Sequence, residues 1–153
     1  MILLPHLLIG AAIGAKVQNL PAVFILGIIS HFIADKLPHW EYLDKELTEL
    51  KTAREWLAFF TKVILDFGLG VLIIFYFFWQ SPLWPAVALG AIAGVLPDFL
   101  VFLNYLFPKT KILESYRKFH HQSHLKKGRY KLFLSLFSEA LIILLMIYLI
   151  AIC

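Results

Sequence analysis

Five apolar stretches occupy most of this 153-residue chain and constrain what it can fold into. They cover residues 2–15, 20–37, 56–79, 85–107 and 130–152. The last three reach the ~20 residues that an α-helix needs to cross the hydrocarbon core of a bilayer, and the first falls short of that length. Backbone inside a bilayer must satisfy its own hydrogen bonds, so we predict that each stretch is helical.

The composition excludes an ordinary water-soluble domain. Hydrophobic residues make up 61% of the chain and charged residues only 16%, whereas a soluble domain is roughly 45–50% apolar. Too few polar side chains remain to cover a soluble body, so the apolar excess must face lipid. We predict an all-α, polytopic membrane helical bundle that forms a single domain over residues 1–153. It would contain about four full transmembrane helices plus a short or re-entrant N-terminal helix.

The basic residues predict how the bundle is oriented. Residues 109–131 carry eight Lys and Arg residues, whereas the turn at residues 80–84 carries no charge. The positive-inside rule therefore places the basic connection in the cytoplasm and the neutral turn outside, with the chain in the cell (inner) membrane. The net charge of +4 is thus explained by membrane orientation, and we expect no nucleic-acid partner.

Histidine and aspartate residues are predicted to gather at the cytoplasmic end. His31, Asp35 and His39 recur every four residues. They drift only about 80° around a helix in total, so they share one face. Asp98 follows Pro97, which we expect to disrupt its helix and to free a backbone carbonyl.

The remaining histidines follow the same trend. His120 and His124 lie one helical turn apart in the basic connection, and His6 lies near the predicted inner end of the first stretch. The orientation depends on Lys and Arg alone, yet it brings all six histidines toward one face. That agreement favours a shared site.

We therefore predict a divalent-metal site. Imidazole nitrogen and carboxylate oxygen are good ligands for zinc, which we prefer here, and for manganese or iron as alternatives. Ionisable side chains inside a membrane cost several kcal/mol unless they are paired or solvated, and a metal offsets that cost for several at once. The predicted ligands are His6, His31, Asp35, His39, Asp98, His120 and His124.

Several residues near this site have plainer interpretations. Asp66 has two possible interpretations: it is a metal ligand, or it is a structural aspartate bonded to a hydroxyl or a lysine. His6 is either a metal ligand or a residue at the membrane interface. For His121 we favour a contact with lipid headgroups. Glu139 is open between a ligand, a proton carrier and a partner for a basic residue. The small residues at 10–14 indicate close helix packing.

Four short motifs, in order along the chain, are similar to those of a known family. They read PHLLIG at 5–10, SHFIADKLPHW at 30–40, GVLPD at 94–98 and FHHQSH at 119–124. This series resembles the YdjM-like group of small membrane-bound metal-dependent hydrolases. Its spacing is also loosely similar to the helical zinc-dependent phospholipase C and single-strand nuclease superfamily. The motifs around Asp35 and His124 depart from the YdjM-like pattern, which has Leu-Pro-Asp-x-Asp and Arg-Gly-x-Thr-His steps there.

The resemblance implies a metal hydrolase that acts near the membrane. Our leading hypothesis is a phosphoesterase at the cytoplasmic face, with a lipid or another membrane-associated phosphoester as substrate and with one or two metal ions. The expected catalytic residues are Asp35, Asp98 and His124. The residues expected to attract the phosphate or an anionic headgroup are Arg117, Lys118 and Lys126.

Two other functions remain open. The chain could be a non-enzymatic metal-ion carrier or sensor, although the candidate ligands collect at one end and no acidic residue marks the outer half. It could also be a structural protein whose basic connection docks on anionic lipid. In that case the histidines are dispensable and the Lys and Arg residues are not.

Overall fold

The computed structural model describes residues 2–42, 47–123 and 132–152. Over these ranges the regular structure is helical, with no strand, which confirms the all-α prediction. The elements are α1 (Leu3–Val17), α2 (Leu20–Ala34), a 3-10 helix (Leu47–Glu49), α3 (Ala53–Phe78), α4 (Trp84–Leu106), α5 (Lys111–Ser123) and α6 (Leu132–Ala151).

Three of these helices, α3, α4 and α6, are long and apolar enough to cross a membrane. The prediction of about four full spans is therefore corrected to three. The difference lies in α2, which has 15 residues and ends at Ala34. Tight i→i+3 bonds from the amides of Lys36 and Leu37 close its last turn. Pro38 then prevents further helix, because proline lacks an amide hydrogen and disfavours helical backbone before it.

The outer faces of α3 and α6 are apolar and exposed. Tyr76 and Leu65 on α3 expose 82% and 68% of their surface, and Phe133 on α6 exposes 79%. A contiguous apolar surface of this kind is unfavourable in water and is suited to contact with lipid. The architecture is thus compatible with a membrane protein.

The short helix α1 forms the centre of the bundle. It packs against α2, α3, α4 and α6, and ten of its 15 residues are buried. The much longer α3 buries only Gly70, Ile74 and Phe78. The long apolar helices therefore surround α1, and a polar group on its buried face lies inside the bundle.

Helices α1 and α4 meet along a seam of small residues. A Cβ atom on Gly10 would collide with the carbonyl of Gly90, and one on Gly14 would collide with the carbonyl of Ala86. Such contact between backbones is typical of small-xxx-small helix pairs in membranes. The close packing predicted for residues 10–14 is present.

The same seam sets the positions of two candidate ligands. The helices run antiparallel, so that positions 14, 10 and 6 of α1 oppose positions 86, 90 and 94 of α4. His6 contributes the backbone carbonyl that lies against Gly94. Asp98 is one helical turn beyond Gly94, and the seam therefore holds His6 and Asp98 at the same end of the bundle.

The expectation that Pro97 disrupts its helix is wrong. Helix α4 continues through Pro97 from Trp84 to Leu106. Proline removes one amide donor, that to the carbonyl of Ala93. Helices α1 and α2 pack against α4 along this region, and neighbouring helices of this kind allow a membrane helix to tolerate proline.

Candidate metal centre

Five titratable side chains from separate parts of the chain converge at one end of the bundle. They are His6 on α1, His31 on α2, Asp35 at the end of α2, Asp98 on α4 and His120 on α5. His6, His31 and Asp35 are fully buried, and His120 is 3% exposed. Only Asp98 has a partly accessible side chain, at 25%. These are five of the seven predicted ligands.

Four of the ligand atoms lie at the spacing expected around one metal ion. The Nε2 atom of His31 lies 3.1 Å from Asp35 Oδ2 and 3.7 Å from Asp98 Oδ1. The Nε2 atom of His120 lies 3.0 Å from that of His31, 3.4 Å from Asp98 Oδ1 and 3.8 Å from Asp35 Oδ2. Ligand atoms about 2.0–2.2 Å from a tetrahedral metal are roughly 3.3–3.6 Å apart. The measured separations bracket that value.

The backbone of α4 orients His31 for such a role. Its Nδ1 atom lies 2.8 Å from the carbonyl oxygen of Gly94. A carbonyl can only accept, so Nδ1 carries a proton and donates, and Nε2 is the nitrogen that faces the cluster. Metal-binding histidines commonly use this kind of supporting hydrogen bond, which selects the tautomer and raises ligand basicity.

His6 approaches the cluster at the other carboxylate oxygen of Asp35. Its ring stacks on that of His31 with centroids 4.1 Å apart, and its Nε2 atom lies 3.3 Å from Asp35 Oδ1. The two oxygens of Asp35 therefore face different imidazoles: Oδ1 faces His6, and Oδ2 faces His31 and His120.

Two overlapping triads could hold a metal ion. One comprises His6, His31 and Asp98, and the other comprises His31, Asp35 and His120. Within each triad the ligand atoms lie within 4.8 Å of one another. Two imidazole nitrogens and two carboxylates packed this closely repel unless a proton or a cation lies between them. The donor set suits zinc, manganese or iron.

The predicted trio of His31, Asp35 and His39 is only partly brought together. Because α2 ends at Ala34, His39 leaves the helix face that the spacing predicted. Its Nδ1 atom contacts the carbonyl of Leu37 at 2.8 Å, and its Nε2 atom lies 3.8 Å from Glu41 Oε1. His124 lies outside the described residues.

The predicted phosphate-binding residues lie on α5, the helix that carries His120. The guanidinium of Arg117 lies 5.9 Å from the centroid of the Tyr105 ring. Lys118 is exposed and pairs with Glu114 at 2.7 Å, and this partner lowers the pKa of the Glu114 carboxyl. Lys126 lies outside the described residues. His121, also on α5, is exposed.

Asp66 binds the N-terminus of α1. Its Oδ2 atom accepts hydrogen bonds from the amide of Leu4, at 2.9 Å, and from the hydroxyl of Tyr42, at 2.5 Å. The Tyr42 hydroxyl oxygen in turn accepts a hydrogen bond from the amide of Leu3 at 2.8 Å. The structure thus supports the interpretation of Asp66 as a structural aspartate bonded to a hydroxyl. Burial, followed by the adjacent Asp66, raises the pKa of Tyr42, so its hydroxyl stays protonated.

Glu139 has a comparable structural contact. Its Oε1 atom accepts a hydrogen bond from the amide of Trp40 at 3.1 Å. The hydroxyl of the neighbouring Ser138 donates to the carbonyl of Pro38. Together these bonds tie the segment that follows α2 to the first turns of α6.

Sequence reasoning missed Tyr116, which lies beside the cluster on α5. Its hydroxyl donates to the carbonyl of Pro97 at 3.3 Å. Burial, and then the negative charges of Asp98 and Asp35, raise the pKa of Tyr116 to about 12. The sequence does contain a signal for this position: Tyr116 precedes His120 by one helical turn, so the two side chains lie on the same helix face.

Comparisons of the chain with protein-family models, with curated proteins and with solved structures give no match. The geometry of this cluster and the apolar helical bundle around it are therefore the basis for inferring a function.

Proposed function

We propose that this protein is a metal-dependent hydrolase that cleaves a phosphoester of a lipid or of another membrane-associated substrate. One observation carries the proposal: two carboxylates and two imidazoles converge at metal-ligand spacing inside a bundle of apolar helices. The resemblance to YdjM-like hydrolases supports the same class of reaction.

Burial strengthens the argument for a metal. Isolated charges are costly inside an apolar bundle, and Asp35 is fully buried. His31 directs its Nε2 atom into the cluster because Gly94 holds its other nitrogen. A divalent cation bound by His31, Asp35, Asp98 and His120 would neutralise both carboxylates and complete the coordination of both imidazoles.

Access to the cluster favours a substrate that is itself in the membrane. Asp98 is the only partly accessible side chain among these four. The next residue, Phe99, is 52% exposed on the apolar surface of α4. We propose that the apolar part of a lipid substrate contacts this surface while its phosphate reaches Asp98. We place this end of the bundle at the cytoplasmic face because the basic connection at residues 109–131 begins there.

The chemistry assigned to these residues is hydrolytic. A bound divalent metal supplies Lewis acidity, which lowers the pKa of water and polarises a phosphoryl oxygen. Hydrolysis forms a bond from the water oxygen to phosphorus and breaks the ester phosphorus–oxygen bond. Asp98 faces both imidazoles through its Oδ1 atom, so its other carboxylate oxygen is the candidate to accept the proton of the water, and the leaving oxygen takes up a proton. Arg117 and Lys118 on α5 would attract the anionic phosphate.

Packing within the bundle disfavours the alternative function of a metal carrier. Beyond His6, Ala11 and Ala15 of α1 belong to the same apolar core cluster as Val87 and Ala91 of α4. This part of the core is apolar and has residues that are at most 5% exposed. A transport path through the described bundle would need polar groups there, whereas a catalytic site needs only one opening.

The proposal is tested with protein purified in detergent and reconstituted in lipid nanodiscs. Elemental analysis should find zinc, manganese or iron, and a chelator should remove it. Phosphatidic acid and phosphatidylglycerol are the probes, with release of phosphate or glycerol phosphate as the readout. Activity should disappear on chelation, return with added metal and be lost in Asp98→Asn. Metal-free protein, or metal-loaded protein that cleaves neither lipid, would contradict the proposal.

A further inference from the structure

His6 is a buried imidazole that the four-ligand centre does not use. It is 0% exposed, and neither of its ring nitrogens makes a hydrogen bond of good geometry within the described part of the chain. Its Nε2 atom is nevertheless only 3.3 Å from Asp35 Oδ1. Buried nitrogens without well-formed hydrogen bonds are unfavourable, and a cation between His6 Nε2 and Asp35 Oδ1 would satisfy both atoms.

Asp35 has the geometry of a shared ligand. Its Oδ2 atom faces His31 at 3.1 Å and His120 at 3.8 Å, whereas its Oδ1 atom faces His6. A carboxylate whose two oxygens point to separate imidazoles can bridge two cations. Asp98 is within reach of the same position, because its ligand atom, that of His6 and that of His31 lie within 4.8 Å of one another.

We infer that the centre binds two divalent cations, the second held by His6 and by the carboxylates of Asp35 and Asp98. This inference rests on the proposed function and deepens it. Two carboxylates neutralise only one divalent cation. When a second cation is bound, the site therefore has a net positive charge. A pair of cations with open coordination positions suits a phosphate ester. During hydrolysis, two metals together stabilise the attacking oxygen and the leaving oxygen.

The competing interpretation is that His6 only packs against His31, on which it stacks at 4.1 Å. The substitution His6→Leu distinguishes the two interpretations, because leucine fills a similar volume and lacks both ring nitrogens. If His6 only packs, the substitution leaves the metal content unchanged. If His6 is a ligand, it removes one of the two ions.

The experiment measures the metal content of wild type, His6→Leu and a control variant after loading with Mn²⁺ and removal of excess ion. The control is His39→Ala, which removes a histidine whose contacts are with Leu37 and Glu41. We expect two ions per chain in wild type and in His39→Ala, and one in His6→Leu. The electron paramagnetic resonance spectrum of the wild type should show exchange coupling between the two Mn²⁺ ions, and that of His6→Leu should show an isolated ion.

The outcomes separate this inference from the proposed function. One uncoupled ion in the wild type, or two ions retained in His6→Leu, would overturn the second site and leave a single-metal hydrolase intact. Protein that binds no metal would instead contradict the proposed function. If His6→Leu does not elute as a monodisperse species, the coupling in the wild-type spectrum decides the matter alone.

Discussion

Two clusters of polar side chains, one buried and one half-buried, lie near the N-terminal end of α1, and they differ in what surrounds their carboxylates. Around Asp66 the partners are hydrogen-bond donors, the amide of Leu4 and the hydroxyl of Tyr42. Around Asp35 and Asp98 the closest described partners are imidazole nitrogens. The first arrangement pairs its acceptor with donors, whereas the second gathers potential ligand atoms that repel unless a proton or a cation lies between them.

This difference shows that a buried acid in a membrane bundle does not by itself indicate a functional site. Asp66 satisfies an amide at the start of α1, where the positive end of the helix dipole favours a carboxylate. Glu139 similarly accepts the amide of Trp40. The chemical type of the neighbours distinguishes a structural carboxylate from a ligand.

The largest effect is expected from Gly10→Leu, which should disrupt both clusters at once. The new side chain would collide with the carbonyl of Gly90 and push α1 away from α4. Overpacking of a tight core typically costs about 1–3 kcal/mol, and contact with rigid backbone should exceed this. We expect loss of monodisperse protein on size-exclusion chromatography in detergent.

Gly68→Leu is the matched control for the Gly10 substitution. Gly68 lies in α3, and a Cβ atom there would meet no neighbouring group within 4 Å in the described part of the chain. Leucine is also the better helix former. The variant should elute as the wild type does. Equal behaviour of the two variants would show that the α1–α4 seam does not hold the clusters in place.

Asp98→Asn should break the metal cluster and leave the Asp66 cluster intact. It removes one negative ligand with little change in shape. Loss of a group that only supports a ligand typically weakens metal binding about 10- to 100-fold, and loss of a direct ligand should exceed that range. Metal titration would measure the affinity and circular dichroism the helix content. Unchanged metal affinity would remove Asp98 from the site.

Asp66→Ala should have the converse effect. It leaves the Leu4 amide and the Tyr42 hydroxyl without their acceptor, and loss of a helix-capping side chain costs about 0.5–2 kcal/mol. Thermal unfolding in detergent should show the loss, while the metal content stays at the wild-type value. Loss of metal as complete as in Asp98→Asn would contradict the distinction between the two clusters.

Tyr42→Phe should have the smallest effect, because it removes one hydroxyl from the Asp66 cluster. A typical hydrogen bond contributes about 0.5–1.5 kcal/mol. The pKa of Tyr42 is raised in the folded protein, so the contribution is full below the unfolded pKa of about 10 and is lost as the pH rises above it. The free energy of unfolding of the wild type and of Tyr42→Phe, measured from pH 7 to pH 11, tests this pH dependence. A stability difference that grows above pH 10 would contradict it.

Part of the candidate site was predictable from local spacing. His31 and Asp35 are four residues apart, so even the last turn of a helix brings them together, at 3.1 Å. His39 depended on the same helix continuing, and Pro38 and the tight turn before it prevent that. The Asp66–Tyr42 bond joins residues 24 positions apart, and no helical period connects them.

The sequence by itself determined that the chain is helical and apolar enough for a membrane, because composition and stretch length are properties of the chain that packing does not alter. It also determined that His31 and Asp35 are neighbours. Only the tertiary structure decided that His6, Asp98 and His120 join them and that α1 is the central helix. Those outcomes depend on the close α1–α4 backbone contact at Gly10 and Gly90 and on how α5 packs against α4. Contacts between distant segments of this kind have no local signature.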